Sequence, residues 1–202
     1  VVGSNDGSIQ GATLGIGGTL DTSTYDFDGS DDYVSGATDI AALQGTASMS
    51  FWVNTTQRGE DTVYQAPGVT GVESNGDQDD VFWGWIDQDG HIGVTSGNDL
   101  GAQSTSVVAD GEWHHVVLTR AAGTGDVQVY VDGTLEDSVS ARSGTIGNSF
   151  DSLGRIEDTG TSPEYFDGRL EDVQVYDSVL SSSDAQTLAD ATDGRLMTGT
   201  KA

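Results

Sequence analysis

Short segments in which apolar and polar residues alternate recur along most of the chain, and no other feature limits the possible folds as strongly. In residues 48–54, for example, Met49, Phe51 and Val53 fall on one face, as a half-buried strand requires. Glycine and aspartate separate these segments at short intervals, which is typical of antiparallel sandwiches. The alternation therefore predicts an all-β fold, a two-sheet antiparallel jelly-roll sandwich.

Two Asp-Gly dipeptides mark predicted hairpin turns, because both residues tolerate the positive φ that a two-residue turn needs. Asp132-Gly133 precedes a predicted strand at 134–140, and Asp89-Gly90 precedes one at 91–95. One short helix is predicted near the C-terminal end. There Ser181-Ser182-Ser183-Asp184 resembles a capping box, and apolar residues follow at helical spacing.

The 202 residues carry 33 acidic and 7 basic side chains, a formal net charge of −26, and no cysteine. A polyanion of this density repels phosphate backbones and anionic headgroups, so no nucleic-acid binding is predicted and no electrostatic membrane attachment. The sequence has no apolar run of about 18 residues, which argues against direct membrane insertion. The absence of cysteine excludes disulfide scaffolds and thiolate metal sites.

The charge is interpreted as a solvated shell over an ordinary core. High net charge with low hydrophobicity is typical of disordered chains, but here the alternating strands continue throughout. Molar salt shortens the Debye length to about 3 Å, so such a surface is tolerable in a salt-loving (halophilic) organism and destabilising at low salt. A chain of this length fits a single domain, predicted to span residues 1–202.

Six short motifs follow one another in an order that is more specific than any one of them. They are Phe27-Asp28-Gly29-Ser30, Ser50-Phe51-Trp52-Val53, Asp110-Gly111-Glu112-Trp113-His114-His115, Val129-Tyr130-Val131-Asp132-Gly133, Phe166-Asp167-Gly168-Arg169-Leu170 and Val179-Leu180-Ser181. In this order they resemble the concanavalin A-like laminin G (pentraxin-like) jelly-roll family over residues 25–190. The resemblance implies a secreted or surface module that binds carbohydrate or protein, often with calcium.

The chain departs from the family pattern at both ends. Members commonly begin with an extra apolar strand, of which only Val1-Val2 remains. Residues 194–202 contain a strand-like segment beyond the usual end of the family. They are expected to fill the open sheet edge or to continue into another domain.

The family also implies where calcium would be held. Its ligands lie in the loop before the Phe82-Trp83 strand and after a Leu-Gly pair, and here those positions are Asp79, Asp80, Glu157 and Asp158. The correspondence is incomplete, because one acidic position of the family falls on Ile156. Calcium takes six to eight oxygens, so four carboxylates with carbonyls and water would suffice. The alternative is a solvated acidic loop.

A second group of acids, Asp28, Asp31, Asp32, Asp167 and Asp172, belongs to the two Phe-Asp-Gly turns and the residues that follow them. Aspartate side chains in such turns bond the backbone amides that follow them, which is a structural role, and metal binding is the alternative.

Trp83 and Trp85 are predicted to share one face of a strand beside the acidic loop, and they are the candidate sugar-stacking residues. The alternative is that they cover the sheet beneath a loop. The Glu-x-Asp-x-x-Glu strand pattern of glycan-cleaving enzymes is missing, as are the motifs of serine hydrolases and zinc proteases, so no catalytic residue is predicted. Asn54-Thr55-Thr56 is a glycosylation sequon, which matters only if the chain is exported.

These observations predict a non-enzymatic binding or adhesion module of an extracellular or cell-surface protein. Its expected partner is a carbohydrate, recognised through calcium-braced loops, or a surface protein. The alternative is a structural domain that self-assembles into a filament, envelope layer or virion surface and has no small ligand.

Overall fold

Two large sheets and one small sheet make up the part of the chain that the computed structural model describes, namely residues 7–16, 18–20, 23–36, 39–74, 80–96, 101–158, 160 and 162–191. The elements are β1 (Ser8–Gln10), β2 (Thr13–Ile16), β3 (Ser23–Asp28), β4 (Tyr33–Ser35), β5 (Ala47–Asn54), β6 (Thr70–Glu73), β7 (Val81–Ile86), β8 (Ile92–Thr95), β9 (Gly101–Gln103), β10 (His114–Ala121), β11 (Asp126–Val131), β12 (Thr134–Ser140), β13 (Ser152–Leu153), β14 (Arg155–Asp158), β15 (Glu164–Tyr165), β16 (Asp167–Tyr176) and α1 (Ser182–Ala189), with short 3₁₀ turns at Ala41–Gln44 and Val63–Gln65.

The seven-stranded sheet has the order β12-β11-β10-β5-β16-β3-β2, and the six-stranded sheet has the order β15-β14-β6-β7-β8-β9. A small sheet, β1-β4-β13, lies at one side. The predicted jelly-roll sandwich is confirmed. One pairing of the described strands departs from the predicted antiparallel pattern, because β14 runs parallel to β6.

The main core lies between the two large sheets. Met49, Phe51 and Val53 of β5 have no exposed surface, as the alternation predicts, and they belong to the same apolar cluster as Trp83 and Ile92 from the opposite sheet. Burying a large apolar side chain stabilises a fold by about 1.5–3 kcal/mol, so this central strand is a principal source of stability.

Both predicted hairpins are confirmed. At the β11–β12 turn, Asp132 has φ +50° and Gly133 has φ +79°, the paired positive values of a tight hairpin turn. At the β7–β8 turn, the carboxylate of Asp87 accepts the backbone N–H of Asp89 at 2.9 Å and of His91 at 2.8 Å. The second turn is therefore stabilised by a side chain as well as by its glycine.

Helix α1 begins as predicted, with Ser181 as N-cap in a capping box with Asp184. Its Ala185 packs on Val117 and Tyr130 at the outer face of the seven-stranded sheet. None of the helices in the described ranges is long and apolar enough to cross a membrane. The predicted C-terminal strand within 194–202 lies outside the described residues.

Candidate functional site

The outer face of the six-stranded sheet carries a group of acidic residues where β6, β7 and β14 lie side by side. The parallel register of β14 with β6 sets Asp158 beside Glu73. Phe82 packs on this outer face, and Gly71 of β6 lies against its ring. Glu73 is two residues after Gly71 in the same strand and therefore lies on the same face. A hydrogen bond joins the carboxyl groups of Glu73 and Asp158, so both point to the same side of the sheet.

The surroundings of Glu73 are strongly anionic. Burial, the hydrogen bond with Asp158 and the charges of Asp158 and Asp80 together raise the pKa of the Glu73 carboxyl group to about 7. Near neutral pH the carboxyl group of Glu73 is therefore still protonated in part of the molecules. Glu73 could not be predicted from the sequence, because only the long-range pairing of β6 with β14 brings it to Asp158 and no local pattern indicates that pairing.

Asp80 lies at the start of β7 and is 2% exposed. Its carboxylate accepts the backbone N–H of Ser74 at 3.0 Å and the side-chain amide of Asn148 at 3.3 Å. Asp79, predicted beside it, lies outside the described residues. Of the two predicted loop ligands, the structure therefore defines the position of Asp80.

Glu157 lies on the other face of β14 from Asp158, as strand alternation requires. The guanidinium of Arg155 donates to its carboxylate, and the hydroxyl of Ser152 does so at 3.3 Å. Arg155 also stacks on the ring of Tyr33 at 3.7 Å from its centroid. The structure thus brings two of the four predicted metal ligands, Asp80 and Asp158, together around Glu73 and keeps the side chain of Glu157 apart from them.

Trp83 and Trp85 do not share a face, so that prediction is wrong. Gly84 has φ +75°, and the register between β7 and β8 shifts between the two tryptophans, which is a β-bulge. The extra residue reverses the alternation. Trp83 consequently lies in the main core with no exposed surface, whereas Trp85 packs beside Phe82 on the outer face and is 6% exposed. Of the two, only Trp85 approaches the outer surface.

A polar cleft of about 600 Å³ opens beside the acidic group, and residues 57–60 and 162–165 form much of its walls. Glu164 in this wall lies opposite Ile156 across the β14–β15 pair. Burial, followed by the charges of Asp158 and Glu60, raises the pKa of the Glu164 carboxyl group. Because Asp158 acts electrostatically on both Glu73 and Glu164, the acidic group and the cleft are adjacent parts of one surface.

A laminin G family model, described as the Concanavalin A-like lectin/glucanases superfamily, matches residues 28–186. The chain belongs to this family. The resemblance predicted from the ordered motifs is therefore confirmed.

The laminin G-like chain is 28% identical over 158 residues to the rat (Rattus norvegicus) protein "Sushi, von Willebrand factor type A, EGF and pentraxin domain-containing protein 1". The match covers 74% of this chain and 4% of that protein, so the chain spans a small fraction of the length of its relative.

Two solved structures share the laminin G-like fold. The native heptameric SAP-like pentraxin from Limulus polyphemus has a TM-score of 0.62 at 17% identity, covering 82% of this chain and 81% of the pentraxin chain. Domain 4 of AbnA, a GH43 extracellular arabinanase from Geobacillus stearothermophilus solved in complex with arabinotriose, has a TM-score of 0.61 at 19% identity, covering 91% of this chain and 82% of that domain. At these identities the likeness shows the fold alone.

A separate acidic turn lies at the start of the matched laminin G-like region. Within the described ranges, Asp28, Asp31 and Asp32 are the one group of three potential metal-ligating side chains whose ligand atoms all lie within 4.8 Å of one another. Asp28 accepts the backbone N–H of Ser30 at 2.9 Å, and Asp32 accepts that of Asp28 at 3.1 Å. The carboxylates of Asp28 and Asp32 therefore bond the backbone of their own turn, as predicted for a structural role.

Proposed function

We propose that this laminin G-like chain is a non-enzymatic glycan-binding module of an extracellular protein, and that the glycan lies on the outer face of the six-stranded sheet. The observation that carries the proposal is the convergence of Glu73, Asp80 and Asp158 beside a polar cleft of about 600 Å³. The bound arabinotriose in the similar arabinanase domain supports carbohydrate as the class of ligand.

Calcium is proposed to brace this site. Carboxylate oxygens are ligands that calcium prefers, and Glu73 is hydrogen-bonded to Asp158 and feels the charge of Asp80. The ligand atoms of these three residues do not all lie within 4.8 Å of one another, so a bound ion would draw them together. Burial is the main cause of the raised pKa of Glu73, and a divalent cation would relieve the further part that comes from the charges of Asp158 and Asp80. Backbone carbonyls and water would supply the remaining oxygens. Asp79 stays a proposed ligand, and Glu157, whose side chain lies on the opposite face, would contribute only through its backbone.

The cleft has the mixed chemistry that a sugar requires. Sugar hydroxyls donate and accept hydrogen bonds, and the C–H faces of a sugar ring pack on aromatic rings. The cleft supplies donors, acceptors and one aromatic ring from Arg58, Gln65, Glu60, Glu164 and Tyr165. A glycan in the cleft would therefore reach the calcium position beside Asp158 without leaving this face of the sheet.

The carboxyl groups of Glu73 and Asp158 are too close together to act as the acid pair of a glycan hydrolase. Retaining hydrolases hold two carboxyl groups about 5–5.5 Å apart, and inverting enzymes hold them about 6.5–9.5 Å apart. Glu73 and Asp158 are hydrogen-bonded to each other, so a glycosidic bond has no room between them. This spacing supports binding without cleavage.

A glycan array probed in molar salt, with calcium or with a chelator, tests the proposal. The wild type is expected to bind a subset of glycans in calcium and to lose about tenfold or more in affinity when calcium is removed. The double substitution Glu73→Gln and Asp158→Asn should have the same effect, whereas Glu157→Gln, on the other face of the same strand, should bind as the wild type does.

Two outcomes contradict different parts of the proposal. If binding survives both the chelator and the double substitution, calcium is not needed for binding, and only the glycan-binding part of the proposal stands. If the wild type is folded, as verified by circular dichroism, and binds no glycan in the presence of calcium, the proposed glycan recognition is wrong.

An assembly domain is the second candidate, and it is favoured by one observation. In the described part of the chain, β2 is the outermost strand of its sheet, and Leu14 on β2 is 53% exposed. An apolar residue on an open edge strand favours edge-to-edge pairing. Sedimentation velocity over a concentration series should then show association that Leu14→Lys abolishes, and a monomer at every concentration would exclude this function.

A further inference from the structure

A second pocket opens between the small sheet and the seven-stranded sheet. The pairing of β16 with β3 ends at Leu170 and Tyr25, and the pocket lies beside this point, with walls from β3, β4, β13 and β16. Its volume is about 330 Å³. No residue lines both this pocket and the polar cleft described above, so the two are separate sites.

Five apolar side chains line the pocket. Val34 is buried, and Tyr25, Ile40, Leu153 and Val173 are partly buried residues that pack against the main core. Small-molecule sites commonly have mostly apolar walls, few polar groups and a volume of about 300–1,000 Å³. An apolar group that enters this pocket would therefore be transferred from water to a largely apolar surface.

The charged residues of the pocket are all acidic. Asp151 and Asp172 line it, and the described lining residues include no lysine, arginine or histidine. The carboxylate of Asp172 accepts a hydrogen bond from the side-chain amide of Gln174 at 2.7 Å, which is a neutral donor. The pocket thus presents negative charge beside apolar walls, which complements a ligand that is both apolar and cationic.

A bulge in β16 brings the charge and the apolar surface together. The register of β16 with β5 shifts between Glu171 and Gln174, and Asp172 within the bulge has φ +50°, a left-handed value that is uncommon outside glycine. Adjacent residues of a regular strand point to opposite faces. Here Asp172 and Val173 line the same pocket, which is consistent with the way bulges redirect side chains.

The surroundings of Asp172 favour a cation at this position. Burial raises the pKa of its carboxyl group, the hydrogen bond from Gln174 opposes this shift, and the charge of Glu171 adds to it. The protein therefore stabilises the ionised carboxylate poorly, and a positive charge beside it would compensate for the lost solvation.

We infer that this pocket binds a small organic cation, namely an amine that carries an apolar or aromatic group, independently of calcium. The apolar walls accommodate the apolar group, the carboxylates of Asp151 and Asp172 attract the ammonium group, and the ring of Tyr25 can pack against either. A neutral molecule of the same shape matches the walls alone, and a small amine matches the carboxylates alone. The inference goes beyond the proposed function, and neither depends on the other.

The test compares phenethylamine with phenylethanol, which lacks the charge, with ethylamine, which lacks the ring, and with phenylacetate, which has the opposite charge. Each is titrated at neutral pH in the presence of a chelator, and binding is followed by saturation-transfer NMR and by calorimetry. Phenethylamine should bind saturably, and the other three should bind about fivefold or more weakly. Failure of calcium-dependent glycan binding would not affect this result.

Two matched pairs of charge substitutions separate a specific site from general attraction to an acidic protein. Asp151→Asn with Asp172→Asn removes both carboxylates of the pocket and should weaken phenethylamine binding about fivefold or more. Asp61→Asn with Asp89→Asn removes two exposed charges that do not line the pocket and should leave binding unchanged.

A larger side chain inside the pocket tests its apolar part. Val173→Phe occupies the space of the ligand and keeps both carboxylates, so it should abolish phenethylamine binding. Circular dichroism verifies that the variant is folded, and Ile40→Phe, on another wall of the pocket, replaces it if it is not.

The inference is overturned if phenylethanol binds as tightly as phenethylamine, if both charge pairs weaken binding equally, or if phenethylamine gives no saturable signal with the folded wild type. It is also overturned if the amine binds only after deletion of residues 1–6, since the chain itself would then be the occupant. A dimer in sedimentation velocity that Val173→Phe disrupts would assign the pocket to a second copy, with the same consequence.

Discussion

His114 and His115 are adjacent in β10, yet their surroundings are opposite in character. The ring of His114 bonds Asp132 at 2.9 Å and Asp110 at 3.3 Å, and these carboxylates raise the pKa of the ring, the hydrogen bond to Asp132 most of all. His115 is 3% exposed, lies 5.1 Å from Trp52 between ring centroids, and has its pKa lowered to about 4 by burial. Both histidines couple protonation to folding.

The stability of the fold is expected to decrease as the pH falls from 6.5 to about 4 because of His115. The unfolded chain binds a proton at the ordinary pKa while the folded state keeps this ring neutral, which costs up to about 3 kcal/mol at the acidic end. Urea unfolding across this pH range should show a smaller decrease for His115→Gln.

His114→Gln is the matched comparison, and it should change the pH dependence of stability in the opposite direction. Because the folded pKa of His114 is raised, its stabilisation is present below 6.5 and is lost as the pH rises through the folded value. If the two variants shift the pH profile in the same direction, the assignment of their environments is wrong.

Glu73 is expected to destabilise the calcium-free protein above its raised pKa. The unfolded chain ionises this carboxyl group near 4.5, whereas the folded state ionises it only near 7, so stability decreases over that interval as the pH rises. With chelator at pH 8, Glu73→Gln should therefore have a higher Tm than the wild type. With calcium the order should reverse, because the variant lacks a proposed ligand; an unchanged order would count against calcium at this position.

At the scale of the elements, local patterns predicted most of the fold. The Asp132-Gly133 hairpin, the strand Thr134–Ser140 and the helix that starts after Ser181 all appear as predicted, because each depends on residues next to one another in the chain. Features that depend on distant residues were not predictable in this way. The parallel contact of β6 with β14, which creates the acidic group, is the main example.

The faces on which Trp83 and Trp85 lie could not be predicted from the sequence for a different reason. Alternation within residues 81–86 predicts Trp83 and Trp85 on one face, but the bulge at Gly84 inserts a residue and separates them. Glycine in a strand is compatible with either a bulge or a plain extended residue. In the folded structure Gly84 lies against Val69 and Phe51, where a side chain would not fit, and these contacts with distant residues have no local signal in the sequence.

Gly84→Ala is expected to destabilise the fold and to disturb the packing of the neighbouring Trp85. Gly84 has φ +75°, and an added Cβ would lie 2.7 Å from a methyl group of Val69. Strain of this kind costs about 1–3 kcal/mol. Chemical unfolding measures the loss, and Gly123→Ala, where an added Cβ meets no atom within 4 Å, is the control that should change little. Equal effects of the two substitutions would contradict the role of the bulge.

At the scale of the whole molecule, the acidic surface has few cations to balance it. The 33 acidic side chains outnumber the 7 basic ones by more than four to one. Many of those described here bond backbone amides instead, as Asp28 does at Ser30 and Asp110 does at Glu112. Such bonds shape turns, but they leave the mutual repulsion of the charges in place.

The Tm is therefore expected to rise with sodium chloride and to level off near 1 M, where the Debye length has fallen to about 3 Å and further salt screens little more. Screening relieves the repulsion in the compact state more than in the expanded unfolded chain. Unfolding by urea, which is uncharged, measures the free energy at each salt concentration without altering the ionic strength. Sucrose at matched osmolality is the control and should not reproduce the early, steep part of the increase. A Tm that rises linearly well beyond 1 M would instead indicate salting-out of apolar surface, and a flat profile would show that the net charge of −26 does not limit stability.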